Sequence, residues 1–435
     1  MYIGIDDTDS SSGMCTTYVL TEVISKLPEL DIIGYPRLVR LNPNIPWKTR
    51  GNGAVCVRLG VGQGKKTLIG KINGKEIYSY EHGLEKEAKV DETVDKVLRE
   101  NAHFKDRKTN PAFVITNKKI KLSLYWKAVR EIVKVKEVEK ILKYIGAKYF
   151  FYKGKRGIVG SAASIAWKPM IRSYELLAYR KKELWGKKRN ISTSSVIKMD
   201  KKFKSTFHNY DYANKRVCMV PHSPCPILFG IRGWKKNVLV KALREIRGEE
   251  IDRWLIFETN QGTDNHLKRM NIKDLKPYVS PIITSKVFSE PKTIPGGHTF
   301  FQIKQGNFLL NCAAYEPTKE FRSVIRELLP GDKVEVYGSY KNKTLNIEKI
   351  NVLRLAKLKK KIENPSCCGK KMKSIGKNKG YRCIRCGRKV GQSSCKFIFL
   401  NRKLRKGYYG VAVCARRHLS KPIQRTSIIS FSKPH

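Results

Sequence analysis

Residues 1–18 read MYIGIDDTDSSSGMCTTY, and the fold is decided by how this stretch is read. A short apolar run (Tyr2, Ile3, Ile5) meets three carboxylates, Asp6, Asp7 and Asp9. Hydroxyls and a glycine follow, and then Thr16 and Thr17 stand at the start of TTYVLTEVISKL, whose apolar residues have helical spacing. A strand, an acidic turn and a helix N-terminus open an α/β domain. Carboxylates this close repel one another unless a cation sits among them or one is protonated. Hard oxygens suit Mg²⁺, and the free N–H groups of a helix start suit phosphate. The plainer alternative is an Asp-rich turn that stops a strand and caps a helix.

The rest of the chain weighs on that choice. A chain of 435 residues exceeds one compact core, so several domains are expected. Lysine and arginine number 89 against 37 acids, a net charge of +52, and the pI is near 10.0. A thermophile-type surface would balance its lysines with glutamates. Without that balance, the excess points to a polyanion, because each phosphate neutralised releases counterions. Met1 leads straight into a core strand, with no signal-peptide pattern. The uncharged run Val217–Ile231 is broken by Pro221, Pro224 and Pro226 and is shorter than the roughly 20 residues of a spanning helix. A soluble, cytoplasmic protein with no membrane partner is expected. Eleven cysteines in such a length do not make a disulfide scaffold, but five of them crowd between Cys367 and Cys395.

After the first helix, Ile32–Leu41 reads as a strand. It runs into NPNIPWKTRGNGAV (Asn42–Val55), a loop that combines Lys48, Arg50 and Asn52 with Gly51 and Gly53. Such a loop can wrap amides and cations around phosphates, or it is a surface turn needing glycine. Gly60–Gly83 reads as a hairpin or linker, and Val90 onward and Lys121–Tyr144 as amphipathic helices. GKRGIVGSAASIAW (Gly154–Trp167) carries Lys155 and Arg156 at its entry. It fits either a helix N-terminus that receives phosphate or a core helix packed through Gly and Ala. SYELLAYRKKELWG (Ser173–Gly186) is strand-like. In the next segment, WLIFETNQGTDNHL bunches Asn260, Gln261, Thr263, Asp264 and His266 beyond a strand end. α/β sheets bind ligands there, although turn chemistry produces the same pattern.

From about Ser280 the pattern changes to five short alternating strands, with the helix-like KEFRSVIREL between the third and fourth. That is the order of an OB-fold barrel, with Tyr315, Phe321, Arg322 and Tyr337 as candidate contacts or core. NPSCCGKKMKSIGKNKGYRCIRCGRKV (Asn364–Val390) is a zinc-ribbon pattern. Cys383 and Cys386 form a C-x-x-C knuckle. The partner knuckle is irregular: Cys367 and Cys368 are adjacent and can both ligate only with an unusual backbone, so Cys395 stands as an alternative ligand. The basic and aromatic tail, RKLRKGYYG and ARRHLSKP, is expected to touch nucleic acid.

Taken together, GIDDTDSSSGMCTTY, PWKTRGNGAV, PCPILFGIRG, FETNQGTDNHL, GGHTFF with AAYEPTKEFR, and the CG…GYRCIRCG ribbon resemble the archaeal tRNA-isoleucine 2-agmatinylcytidine synthetase (TiaS) family along nearly the whole chain. The resemblance implies a multidomain α/β protein, with a kinase-like domain (1–185) and a ferredoxin-like α+β domain (186–278). An OB-fold β-barrel (279–356) and a zinc ribbon with a basic tail (357–435) would follow and hold the tRNA. It implies that ATP activates C2 of the wobble cytidine of isoleucine tRNA with a CAU anticodon. Agmatine then replaces the oxygen, giving agmatidine, while ATP goes to AMP and phosphates. Asp6, Asp7 and Asp9 would hold Mg²⁺, Thr16 would be autophosphorylated, and Lys48, Arg50, Asn52 and Gly53 would bind phosphate. Agmatine is cationic, so its pocket should hold a carboxylate, for which Asp264 is the candidate. Structural Zn²⁺ would sit on Cys367, Cys368, Cys383 and Cys386. Two other readings of the residues compete: a non-catalytic OB-fold and zinc-ribbon binder of nucleic acid, and a Mg²⁺-dependent phosphatase or nuclease.

Overall fold

The computed structural model describes residues 1–376 and 379–426. The final stretch of the tail, 427–435, and ribbon residues 377–378 lie outside the described residues. The opening apolar run forms strand Tyr2–Asp6, and the threonines open helix Thr16–Ser25. That strand lies inside a mixed sheet, between Gly53–Ile72 and Ala112–Thr116, with Lys148–Phe151 beyond. On its other side the order continues through Arg37–Arg40, Arg253–Thr259 and Ser173–Tyr179 to Ile227–Gly233. The two α/β segments of the sequence therefore share one continuous sheet. The glycine- and lysine-rich stretch is a long hairpin, Gly53–Ile72 paired with Lys75–Leu84.

Helix Gly157–Ala166 lies against the middle of this sheet and is buried almost throughout. Ser161 Oγ donates to the Ala112 carbonyl and Ser164 Oγ to that of Val55, both at 3.0 Å. Gly4 permits the approach: a β-carbon there would stand 2.3 Å from the Ser161 carbonyl oxygen. Close packing of this kind uses glycine where any side chain would hold the layers apart.

The five strands that follow close into a small barrel. Ser280–Val287 pairs with both Thr299–Gln305 and Lys333–Lys341. Phe308–Ala314 pairs with Thr299–Gln305 and runs parallel to Thr344–Arg354, which completes the ring by pairing with Lys333–Lys341. Helix Phe321–Arg326 sits between the third and fourth of these strands. Phe321 and Tyr337, candidate nucleic-acid contacts by sequence, are buried, and the Tyr337 hydroxyl donates to Glu335. Tyr315 stays at the surface, edge-on to His298 and Phe300.

The described part of the tail, up to 426, does not trail into solvent. Gly407–Gly410 adds a strand to Thr344–Arg354, and the chain then runs back onto the sheet. The backbone of Gly262 donates to the His418 carbonyl and that of Asp264 to Leu419. Arg416, Arg417 and His418, in the stretch expected to touch nucleic acid, bond to His208, Asn44 and Arg232 of the protein itself. Among the described residues no helix is long and apolar enough to cross a membrane.

Candidate active site

Asp6 ends its strand and Asp7 turns the chain through a left-handed conformation, φ 60°. The turn is tied down by Thr109, whose hydroxyl donates to the Asp9 carbonyl at 2.6 Å. The Asp6 carboxylate is pressed onto the first turn of helix Gly157–Ala166, where a β-carbon at Gly160 would lie 1.9 Å from Oδ2. Around this point a cleft is lined by the charged and polar side chains of Asp6, Asp7, Asp9, Lys48, Asn52 and Arg156 together with the apolar ones of Leu41, Trp47, Ala128 and Val159, with the Arg156 guanidinium over the Trp47 ring.

The three carboxylates are not equivalent. Asp9 is neutralised: it accepts from Thr49 Oγ1 at 2.7 Å and from Arg50, whose Nη2 is 2.7 Å away. Asp6 is held well above the usual carboxylate range by burial, with Asp7 and Asp9 adding to it. Burial, then the Asp9 charge, pushes Asp7 up to about 7, against the pull of Asn110 and Arg156. Two adjacent half-buried carboxyl groups whose raised protonation Arg156 only partly offsets are the chemistry of a divalent-cation site. Their oxygens and the open cleft fit a hard cation such as Mg²⁺.

The candidate phosphate residues divide. Lys48, Asn52 and Gly53 line the same cleft as Asp6 and Asp7. Burial, with Arg417 and Lys341 nearby, pulls Lys48 down to about 8, and its ammonium donates to the Pro43 carbonyl. Asn52 donates to the Asn42 carbonyl and shapes the loop. Arg50 faces the turn, held by Asp9, the Met14 carbonyl and Ser223 Oγ. Thr16 is the first residue of its helix, nearly buried, and accepts from the Thr8 hydroxyl at 3.1 Å. With Asp9, Arg50, Gly51 and Gly53 it lines a second hollow, walled by Leu38, Leu177 and Ile227, that adjoins the cleft.

Asp264 is elsewhere, and its charge is already spent. Lys349 Nζ lies 2.5 Å from its carboxylate, and the Lys421 backbone N–H donates to the other oxygen at 2.7 Å. Its neighbours are likewise engaged within the protein. Asn260 bridges the backbone of Arg40 and the Tyr125 hydroxyl, and His266 Nε2 meets Glu348 at 2.9 Å. The polar cluster after strand Arg253–Thr259 is thus a joint between sheet, barrel and tail, with Gln261 Oε1 and His266 Nδ1 its two buried atoms left without a partner. Residues that the sequence did not single out are Gly160 and Arg40. The signal for Gly160 was present: a glycine inside a helix costs about 1 kcal/mol against alanine and needs a packing reason.

In the ribbon, the sulfurs of Cys367, Cys368, Cys383 and Cys386 all lie within 4.8 Å of one another. Four thiolates at a Zn–S distance of about 2.3 Å stand about 3.8 Å apart, so the set fits tetrahedral Zn²⁺. Adjacent cysteines both reach the site because Cys368 adopts a left-handed backbone, φ 51°, followed by Gly369 at φ 74°. Cys395, the alternative ligand, packs instead with Met372 and Tyr381 in the ribbon's small core.

The fold and site define a multidomain α/β protein with an acidic cleft, a small barrel-like sheet and a C-terminal zinc ribbon. Family models match along the chain: the TiaS TCKD domain over residues 2–154, the TiaS FLD domain over 155–266, and the TiaS C-terminal zinc ribbon domain over 364–404. The isoleucine-tRNA 2-agmatinylcytidine synthetase TiaS of Methanocaldococcus jannaschii is 42% identical across 99% of each chain. A crystal structure of TiaS with isoleucine tRNA and ATP superposes with a TM-score of 0.82 at 37% identity, covering 98% of this chain and 97% of that one. One of TiaS with isoleucine tRNA, AMPCPP and agmatine gives 0.81 at 34% identity, covering 100% and 98%. The chain belongs to the TiaS family.

Proposed function

We infer that this protein ligates agmatine to C2 of the wobble cytidine of isoleucine tRNA with a CAU anticodon, at the expense of ATP. The product, agmatidine, pairs with A and changes decoding from AUG to AUA. The observation that carries this reading is the mixed lining of the cleft, in which Trp47 and Leu41 suit a base and Asp6, Asp7, Lys48 and Arg156 suit phosphates and their metal. A solved relative of the same fold holds isoleucine tRNA, an ATP analogue and agmatine together.

The chemistry follows from those residues. The cytidine C2 oxygen is a poor leaving group until it is phosphorylated. Phosphoryl transfer needs positioning and charge neutralisation more than covalent machinery. Asp6 and Asp7 are proposed to hold Mg²⁺, which would supply positive charge to the phosphate oxygens. Asp9 and Arg50 orient the turn, while Lys48 and Arg156 offset anionic oxygens. Thr16 is proposed as the phosphorylated hydroxyl; its place at a helix start beside Asp9 supports that. Agmatine is proposed to enter the hollow next to Thr16, where Leu38, Leu177 and Ile227 suit its methylene chain. The barrel's strand order, with the helix between its third and fourth strands, supports the OB-fold reading and a role in holding unstacked nucleotides. The kinase-like and ferredoxin-like descriptions of the two α/β segments, and a cytoplasmic location alongside tRNA, belong to the same proposal.

The test supplies ATP, Mg²⁺, labelled agmatine and CAU-anticodon tRNA to the full chain. Label is expected in the tRNA; folded protein that consumes ATP without transferring label would sink the reading.

A further inference from the structure

Beyond the hollow that holds Thr16 lies a cavity lined mainly by positive charge. It shares Arg40, Leu177, Pro221, Ile227 and His418 with that hollow, so the two adjoin. About 290 Å³ in volume, it is walled by Arg40, Arg216, Arg232 and Arg416, and among its lining residues Glu175 is the one carboxylate. Glu175 is nearly buried and already committed. It accepts from Arg232 Nε at 2.9 Å and, through its other oxygen, from Gln261 Nε2.

Of the three histidines in this wall, His222 takes a bond from Arg216 Nη2 at 2.7 Å, and the other two do not relieve the surplus. His208 Nε2 receives Arg416 Nη1 at 2.9 Å, and His418 Nδ1 receives Arg232 Nη2 at 3.0 Å. An imidazole nitrogen that accepts from a guanidinium carries no proton there, and both rings are held well below the usual histidine range, first by burial and then by the neighbouring arginines. Arg40 is the least satisfied of the four. Its Nε is buried without a partner, and its Nη1 reaches only the Gly51 carbonyl, at 3.4 Å. Three half-buried guanidinium groups and the exposed one of Arg216, around one spent carboxylate, leave an excess of positive charge that is costly unless an anion completes it. Guanidinium forks match the oxygens of a phosphate group.

We propose that Arg40, Arg216, Arg232 and Arg416 form a second phosphate site, separated from the Asp6–Asp7 cleft by the hollow that holds Thr16. The ligand class is a phosphate-bearing anion. Its source rests on the activity proposed above: either a phosphodiester beside the wobble nucleotide of tRNA, or the oligophosphate released from ATP. A site in this position would hold one phosphate group away from the metal while the other is transferred. The charge argument itself does not depend on that activity.

The experiment titrates the full chain with inorganic pyrophosphate in EDTA at physiological salt, so that no metal bridges the anion to Asp6 and Asp7. Binding is expected, and Arg40→Gln and Arg216→Gln should each weaken it at least tenfold. Arg216 is exposed, so its replacement leaves the fold intact even if Arg40→Gln does not fold. Absence of pyrophosphate binding, or equal binding by the folded variants, overturns the proposal. Inhibition of agmatine incorporation by pyrophosphate that is competitive with tRNA assigns the site to the phosphodiester; inhibition competitive with ATP assigns it to the released oligophosphate. Protein that binds pyrophosphate through these arginines yet incorporates no agmatine refutes the proposed activity and leaves the anion site standing.

Discussion

The carboxylate of Asp6 occupies the space that a side chain at position 160 would need: a β-carbon on Gly160 would lie 1.9 Å from Asp6 Oδ2. The helix carrying Gly160 and the strand carrying Asp6 can therefore meet only in this pairing of residues. That close approach sets where the carboxylate points.

Gly160→Ala tests it. The methyl group must displace either the Asp6 side chain or the helix, and overpacking of this kind costs about 1–3 kcal/mol. Activity should suffer more than stability, because Asp6 is the nearest group able to move. Agmatine incorporation is expected to fall at least tenfold, with a cooperative melt retained at a lower midpoint. Full activity in the alanine variant would mean that the position of Asp6 does not matter to the chemistry.

Asp7 gives the protein a pH signature in the absence of metal. Its carboxyl is raised to about 7 in the folded state, chiefly by burial and then by Asp9, against about 3.9 unfolded. Between those values the native state holds a proton that the unfolded state has released, so stability falls as pH rises. The effect is on the order of a few kcal/mol and is complete just above pH 7. Metal-free protein should melt at a lower temperature at pH 8 than at pH 5, and Mg²⁺ should restore the loss at pH 8. In Asp7→Asn both the slope and the Mg²⁺ response should shrink. A melting temperature that is flat with pH in the wild type, or Mg²⁺ stabilisation undiminished in the variant, would move the cation site elsewhere.

Much of this architecture was legible from one-dimensional patterns. The strand, turn and helix of residues 1–18 follow from apolar spacing and turn chemistry. The five alternating strands after Ser280 follow in the same way. The site was legible only as far as local signals reach. Asp6 and Asp7 stood out because like charges in sequence are like charges in space. Asp264 misled, because its partner Lys349 lies 85 residues away and a long-range salt bridge leaves no local trace. The local pattern of Arg416, Arg417 and His418 shows a basic tail, whereas the backbone bonds from Gly262 and Asp264 to His418 and Leu419 that draw it onto the sheet leave no local trace. Arg40 was invisible for a related reason: its meaning comes from Arg232 and Arg416, which are brought beside it only by the sheet and the returning tail.

Arg50 ties the basic loop to the acidic turn. Its guanidinium is 2.7 Å from Asp9, both side chains are 17% exposed, and it also donates to Met14 and Ser223. Arg50→Gln leaves Asp9 partly buried with the Thr49 hydroxyl but no counter-charge, a loss of about 1–3 kcal/mol for a charged hydrogen bond. It also adds a third uncompensated carboxylate to the pair at Asp6 and Asp7. The variant should need more Mg²⁺ for half-maximal ATP consumption, and its KM for ATP should rise. Arg50→Lys should rescue the charge but not the several directed bonds, so only a partial recovery is expected. Kinetics that respond equally to Gln and Lys would show that geometry, not charge, is what Arg50 supplies.

The ribbon offers the cleanest separation of metal from fold, because one of its cysteines lies outside the ligand set. Cys367, Cys368, Cys383 and Cys386 gather their sulfurs, whereas Cys395 is buried against Met372 and Tyr381. Cys386→Ser should abolish retention of one equivalent of zinc, and Cys395→Ser should keep it. Apparent zinc binding in ribbon-sized peptides is worth about 10–16 kcal/mol, far more than so small a core provides, so loss of the metal should unfold this segment. The sheet and barrel have separate cores and should melt as before. If the ribbon, with its surrounding lysines, neutralises tRNA phosphates, the zinc-free variant should bind tRNA more weakly. The slope of log affinity against log salt should then become shallower by roughly one for each phosphate no longer neutralised. Zinc release measured with a chromophoric chelator, alongside tRNA binding at several salt concentrations, checks both halves. Cys395→Ser losing zinc as completely as Cys386→Ser would return Cys395 to the ligand set, and an unchanged salt slope without zinc would take the ribbon off the tRNA surface.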